Sequence, residues 1–166
     1  LFSFSGCEKD DICDANTPTT PRLVLTFYDI NNPSVLKSVT KLKVVGEGMT
    51  EGIVFNATAT GDSKYLTSAN TISIPLKTDA DTTTYSFTYN YGNANPALVF
   101  VDTVTINYSR NTIYVSRACG YKTTFTLRPT NPIIHSALSS NKWIRFISVD
   151  KTTIVNENET HIKLFF

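Results

Sequence analysis

Apolar and polar residues alternate along most of this chain with a period of two, the repeat of a strand that turns one face to a core and the other to water. Leu23, Leu25 and Phe27 alternate with Val24, Thr26 and Tyr28, and turn formers from Asp29 to Pro33 end the run. Leu42 and Val44 mark a second strand, broken by Gly46-Glu47-Gly48, and a third is expected over 52–58. Ile72, Ile74 and Leu76 alternate in a fourth. Tyr85, Phe87, Tyr89 and Tyr91 interleave with Thr84, Ser86, Thr88 and Asn90 in a fifth, closed by a loop over 92–96. Residues 101–108 and 113–119 flank Ser109-Arg110-Asn111-Thr112, which predicts a hairpin with a four-residue turn. Gly120 is expected to kink or bulge the return strand, which runs on through Phe125 and Leu127. Residues 143–149 and 162–166 supply the last two strands. No long stretch keeps a helical period.

Many short strands with turn signals between them predict an all-β fold, an antiparallel β-sandwich over 22–166. An immunoglobulin-like topology is one form of it. The true immunoglobulin pattern sets a Trp between two bridged Cys, whereas Trp143 here follows both Cys13 and Cys119.

Composition sharpens this picture. The 166 residues are 41% apolar, enough for one sizeable core. Only 17% are charged, against about 25% in a typical soluble domain, and Thr, Asn and Ser carry the surface instead. Net charge is +1 and no basic run appears, so nucleic acid is not an expected partner. No apolar stretch of about 20 residues spans a bilayer.

The N-terminal stretch changes the picture most. Leu1 to Phe4 lead into the small residues Ser5 and Gly6, then Cys7. This resembles the end of a lipoprotein signal peptide, in which a small-residue pair precedes the Cys that receives a diacylglyceryl group; Phe4 stands where Leu is usual. The resemblance implies a signal remnant over 1–6, a lipidated tether and linker over 7–21 rich in Pro and Thr, and a membrane partner through lipid on Cys7. Two or more acyl chains give stable attachment, at about 0.8 kcal/mol per buried CH₂. Lys9, Asp10 and Asp11 resemble the acidic export tract that follows the lipidated Cys in surface lipoproteins of the Bacteroidota. They imply an outer-membrane protein on the cell surface, with the periplasmic face as the alternative.

Of the three Cys, lipid on Cys7 leaves Cys13 and Cys119, which in an oxidising compartment are expected to form one disulfide; two free buried thiols are the alternative. Such a bridge sets the domain close to its membrane, because the extended span from Cys7 to Cys13 reaches about 20 Å.

Ser-Gly-Cys-Glu-Lys-Asp-Asp-Ile-Cys (5–13), Thr-Pro-Arg-Leu (20–23), Val-Ser-Arg-Ala-Cys-Gly-Tyr-Lys (115–122) and Glu-Asn-Glu-Thr-His-Ile-Lys (157–163) together resemble a family of uncharacterised Bacteroidota lipoproteins over nearly the full length. That resemblance supports the address and leaves the activity open.

Candidate chemistry is sparse. Glu157, Glu159 and His161 sit at alternate positions, where a strand would put them on one face as metal ligands or as an exposed charged edge. No metal and no cofactor are expected. No nucleophile motif is present, and Asp79 and Asp81 lie in a polar turn, so no catalytic residue is assigned. His135 reads as a surface residue in a Pro-bounded loop, and Arg117 as an oddity in an otherwise apolar strand, either a buried pairing cation or the mark of an edge strand. The aromatic face from Tyr85 to Tyr91 reads as core, or as a ligand-facing surface. Thr82 and Thr103, each after an Asp, resemble Bacteroidota O-glycosylation acceptors. The expected function is a binding or accessory module at the cell surface with an unidentified ligand or protein partner. The alternatives are an envelope assembly component and a metal-dependent enzyme using Glu157, Glu159 and His161.

Overall fold

A computed structural model describes residues 12–17, 19–137 and 142–166. Its strands are β1 (Leu23–Tyr28), β2 (Leu42–Gly46), β3 (Leu66–Thr67), β4 (Thr71–Ile74), β5 (Thr82–Tyr89), β6 (Phe100–Ser116), β7 (Gly120–Leu127), β8 (Ile133–Ala137), β9 (Phe146–Val149), β10 (Thr153–Ile154) and β11 (Ile162–Phe165). They form a β-sandwich. One sheet runs β4-β1-β11-β9; the other runs β10-β7-β6-β5-β2-β3, with β8 also on β6. Among the described residues every strand pairing is antiparallel except β1 with β11, so the antiparallel expectation holds with one parallel pair.

The period-two alternation explains the packing. Leu23, Leu25, Phe27, Ile72, Ile74, Ile162 and Leu164 form the inner face of the smaller sheet. Leu42, Val44, Tyr85, Phe87, Val104, Ile106, Tyr108, Phe125 and Leu127 form that of the larger. Each full burial of such a side chain is worth about 1.5–3 kcal/mol. The Tyr108 hydroxyl donates to the Lys77 carbonyl at 2.7 Å and meets the Thr83 hydroxyl at 2.8 Å, so its burial strands no polar group.

Four expectations are corrected. Residues 52–58 form no strand: Gly52 alone bridges to Val45, and the edge of β2 is taken by β3. Ile53 and Phe55 pack onto the core from a loop that leads into a 3₁₀ turn, Gly61–Tyr65. The hairpin does not turn at 109–112, because those residues stay in register with β7, from Ser109↔Thr126 to Thr112↔Thr123. Their polarity marks a strand leaving the sandwich with both faces wet. The turn is Arg117-Ala118-Cys119, closed by Gly120 at φ +68°, where a side chain would be strained. Arg117 is therefore a turn residue and not a buried strand cation. Finally, only Phe146–Val149 of the 143–149 segment is strand.

β6 and β7 thus run past the sandwich as a two-stranded ribbon. At its tip Cys119 is bonded to Cys13, with Cα atoms 4.8 Å apart. The bridge clips the N-terminal segment to the ribbon, unlike an immunoglobulin bridge, which joins the two sheets. Thr20 Oγ1 accepts from the Thr123 amide at 3.0 Å and fastens that segment again. The two Cys are 106 residues apart, and closing such a loop restricts the unfolded chain by roughly 4–5 kcal/mol. Reduction also frees the N-terminal segment, which regains about 1–2 kcal/mol of backbone entropy per residue. Reduction is therefore expected to lower stability by only about 1–3 kcal/mol, read from urea midpoints, with the sheets intact. Loss of the β circular-dichroism signal on reduction without denaturant would contradict this.

Candidate functional site

The site is built outward from one buried carboxylate. Asp102 lies on β6 at an inward position, in phase with Val104, Ile106 and Tyr108, and is 0% exposed. Its oxygens accept from the backbone amides of Trp143 at 3.2 Å and Ile144 at 3.1 Å, and Oδ2 lies 2.6 Å from His135 Nε2. His135 stands on β8, opposite Val104, and is half-buried; the surface-loop expectation for it is corrected. Three donors on one carboxylate satisfy an otherwise costly buried group. The alternation along 102–108 is the sequence signal that exposes it: a charged residue in phase with buried ones.

Asp102 thereby fixes Trp143, whose indole N–H donates to the Phe87 carbonyl at 3.0 Å. Around Trp143 stand Tyr89 at 5.1 Å, Phe166 at 5.3 Å and Phe27 at 6.1 Å between ring centroids. Edge-to-face and tilted contacts of this kind add about 0.5–1.5 kcal/mol per pair. The cluster closes the end of the sandwich and floors a cleft of about 480 Å³. Tyr89, Phe100, Trp143 and Phe166 supply its apolar walls; Lys37, Lys142 and Arg145 rim it, and among the described residues no carboxylate side chain lines it. Lys37 donates to the Phe166 carbonyl at 3.0 Å and stands 4.4 Å from the centre of its ring.

The position of this cleft matters as much as its lining. Tyr89 and Phe100 are register partners at the start of β6, and the disulfide-bonded turn follows its end. A strand of 17 residues at about 3.3 Å each separates the two by roughly 55 Å along the chain. Cleft and clipped N-terminal segment therefore occupy opposite poles. Of the alternating aromatics of β5, Tyr85 and Phe87 are core, and Tyr89 lines the cleft. Burial, and to a lesser extent Tyr108, push the Tyr85 phenol up to about 12, so it stays neutral.

Glu157, Glu159 and His161 do not share a strand face: 157–160 is a loop, and His161 precedes β11. Arg22 holds Glu157 from Nε at 3.0 Å, from Nη2 at 2.7 Å and from its own amide at 3.1 Å. Partial burial pushes the Glu157 carboxyl up, but these bonds outweigh it and leave it below the usual carboxylate range. Glu159 faces Lys151 at 3.9 Å. His161 is 0% exposed and its Nδ1 accepts from the Val24 amide at 2.9 Å. Among the described residues, no group of three or more His, Cys, Asp or Glu is placed to hold a metal ion. Asp81, in its polar turn, pairs with Arg110 at 2.8 Å.

Thr82 is exposed at the start of β5, whereas Thr103 is half-buried in mid-sheet between β5 and β8. Cys7, Lys9, Asp10 and Asp11 lie outside the described residues. No helix among the described residues is long and apolar enough to cross a membrane.

The model of a protein family described as a family of unknown function (DUF6452) matches residues 41–166. No curated protein and no solved structure matches the chain.

Proposed function

The chain belongs to the DUF6452 family of unknown function, and from that premise we propose that it is a lipid-anchored extracytoplasmic binding module. Lipid on Cys7 holds it at a bacterial outer membrane, and Lys9, Asp10 and Asp11 send it to the cell surface, as in lipoproteins of the Bacteroidota. The Cys13–Cys119 bridge supports an oxidising compartment.

One observation carries the binding reading. The cleft gathers three cations and four aromatic rings with no carboxylate side chain among the described residues, in a chain whose net charge is only +1. Cations on the rim attract an anion, and rings on the floor favour a flat apolar face. The ligand class is an organic anion with such a face. The cleft lies at the pole away from the tether, where a ligand arriving from outside meets it first.

The test is a titration with 8-anilinonaphthalene-1-sulfonate, which joins a sulfonate to flat rings. Lys142 and Arg145 are exposed, so their replacement leaves the core intact. The Lys142→Glu/Arg145→Glu variant is expected to bind it at least about tenfold more weakly, about 1.4 kcal/mol. Added salt should weaken the wild type and narrow the difference. Equal affinity in the two proteins would remove the cleft as the site.

A further inference from the structure

We propose that the tip of the β6–β7 ribbon is a membrane-contact surface that seats Tyr114 and Tyr121 at the bilayer–water interface. This rests on the reading of Cys7 as the lipidated residue. Tyr114 is 59% exposed and Tyr121 69%, although both are large aromatic side chains. They are register partners whose rings meet edge to face at 5.5 Å. Ile113, on the opposite face of the ribbon, is 36% exposed. The ribbon has left the sandwich by this point, so these side chains contribute nothing to the core.

The covalent path supplies the occupant. Tyr121 lies two residues from Cys119, and Cys119 is bonded to Cys13. Only five residues separate Cys13 from Cys7. Fully extended, that span reaches about 20 Å, less than the thickness of a bilayer with its headgroups. The tip is therefore the part of the domain that the anchor holds nearest the lipid. Tyrosine suits that depth, with an apolar ring and a hydroxyl that stays hydrated. A second contact then adds to the anchor and fixes orientation: the ribbon stands on the membrane and the cationic cleft faces away.

The test uses the full lipidated chain in phosphatidylcholine vesicles carrying a nitroxide lipid labelled near the headgroup. The Tyr121→Trp variant is compared with Leu98→Trp, an exposed site at the cleft pole, and with the wild type, whose Trp143 is buried. The indole introduced by Tyr121→Trp is expected to shift to the blue on reconstitution and lose most of its emission to the nitroxide. The indole introduced by Leu98→Trp should keep its emission. Adding Cys13→Ser to the Tyr121→Trp variant should restore the ribbon-tip emission while the protein still floats with the vesicles. Flotation with the ribbon-tip indole unquenched would overturn the membrane contact and leave the anchor standing. A blue shift without quenching would bury the tip against the domain itself or a second copy of the chain, and would equally overturn it. Failure to float would remove the anchor, and the membrane contact with it.

Discussion

Asp102→Ala is expected to destabilise the domain by about 3–5 kcal/mol, a large share of the roughly 5–15 kcal/mol that holds a domain folded. The carboxylate is wholly buried and three donors converge on it: the amides of Trp143 and Ile144 and the ring of His135. Alanine removes the acceptor and leaves the donors, each unsatisfied buried group costing about 1–3 kcal/mol. Asp102→Asn keeps the shape but offers one acceptor oxygen, and its NH₂ must face a donor, so it should recover only part of the loss. Urea unfolding followed by Trp143 fluorescence measures both. The same change should weaken dye binding in the molecules that remain folded, because Asp102 positions Trp143 under the cleft. A loss below about 1 kcal/mol would mean that water or another acceptor replaces the carboxylate.

How far this arrangement can be read from the chain depends on what each residue's neighbours are. β4 and β5 are legible because an inward set of side chains recurs at every second position, so Ile72 and Ile74 or Tyr85 and Phe87 beat at period two, whereas β1 is buried on both faces from Leu23 to Phe27 and is legible from its run of apolar and β-branched residues. The ribbon is not legible in that way. Beyond Tyr108 neither face of β6 is fully buried, the alternation fades, and Ser109-Arg110-Asn111-Thr112 imitates a turn. β8 is short, five residues just after Pro132 with none fully buried, so it carries no clear period. The disulfide follows from cysteine arithmetic, but not its place at a ribbon tip.

The cleft is the least legible part. Lys37, Tyr89, Phe100 and Arg145 come from four separate stretches and meet only because the two sheets end together. No local motif announces such a site. Asp102 does carry a signal, since its phase with Val104, Ile106 and Tyr108 places it inward. The overlapping Asp-Thr-Val acceptor pattern obscures that signal, because it singles out Thr103, on the other face of the strand.

His161 gives the second large effect, through pH. Its Nδ1 accepts from the Val24 amide, so the ring proton sits on Nε2. Nε2 has no hydrogen-bond partner of good geometry, although the Asn156 carbonyl lies near enough to favour a charged ring. Burial pushes the imidazole below its ordinary value of 6.5; the charges of Glu159 and Glu157 and the Asn156 carbonyl oppose this and do not outweigh it. Protonating Nδ1 would also break the bond to Val24 and set two donors against each other. The unfolded chain therefore binds more protons than the folded one as the solution turns acid. The contribution of His161 is complete above about pH 6.5 and is lost as pH falls below that value toward the folded pKa, by at most about 1.4 kcal/mol per pH unit. The Arg22–Glu157 pair acts in a separate window, since its lowered carboxyl gives up stability only below its ordinary 4.5. His161→Asn places an acceptor where Nδ1 stood and removes the titration. It should cost about 2–3 kcal/mol at pH 7.5 through lost packing. Its stability should then stay nearly level between about pH 5 and 7, where the wild type declines. Urea midpoints across that range separate the two proteins, and parallel profiles would assign the acid sensitivity to groups other than His161.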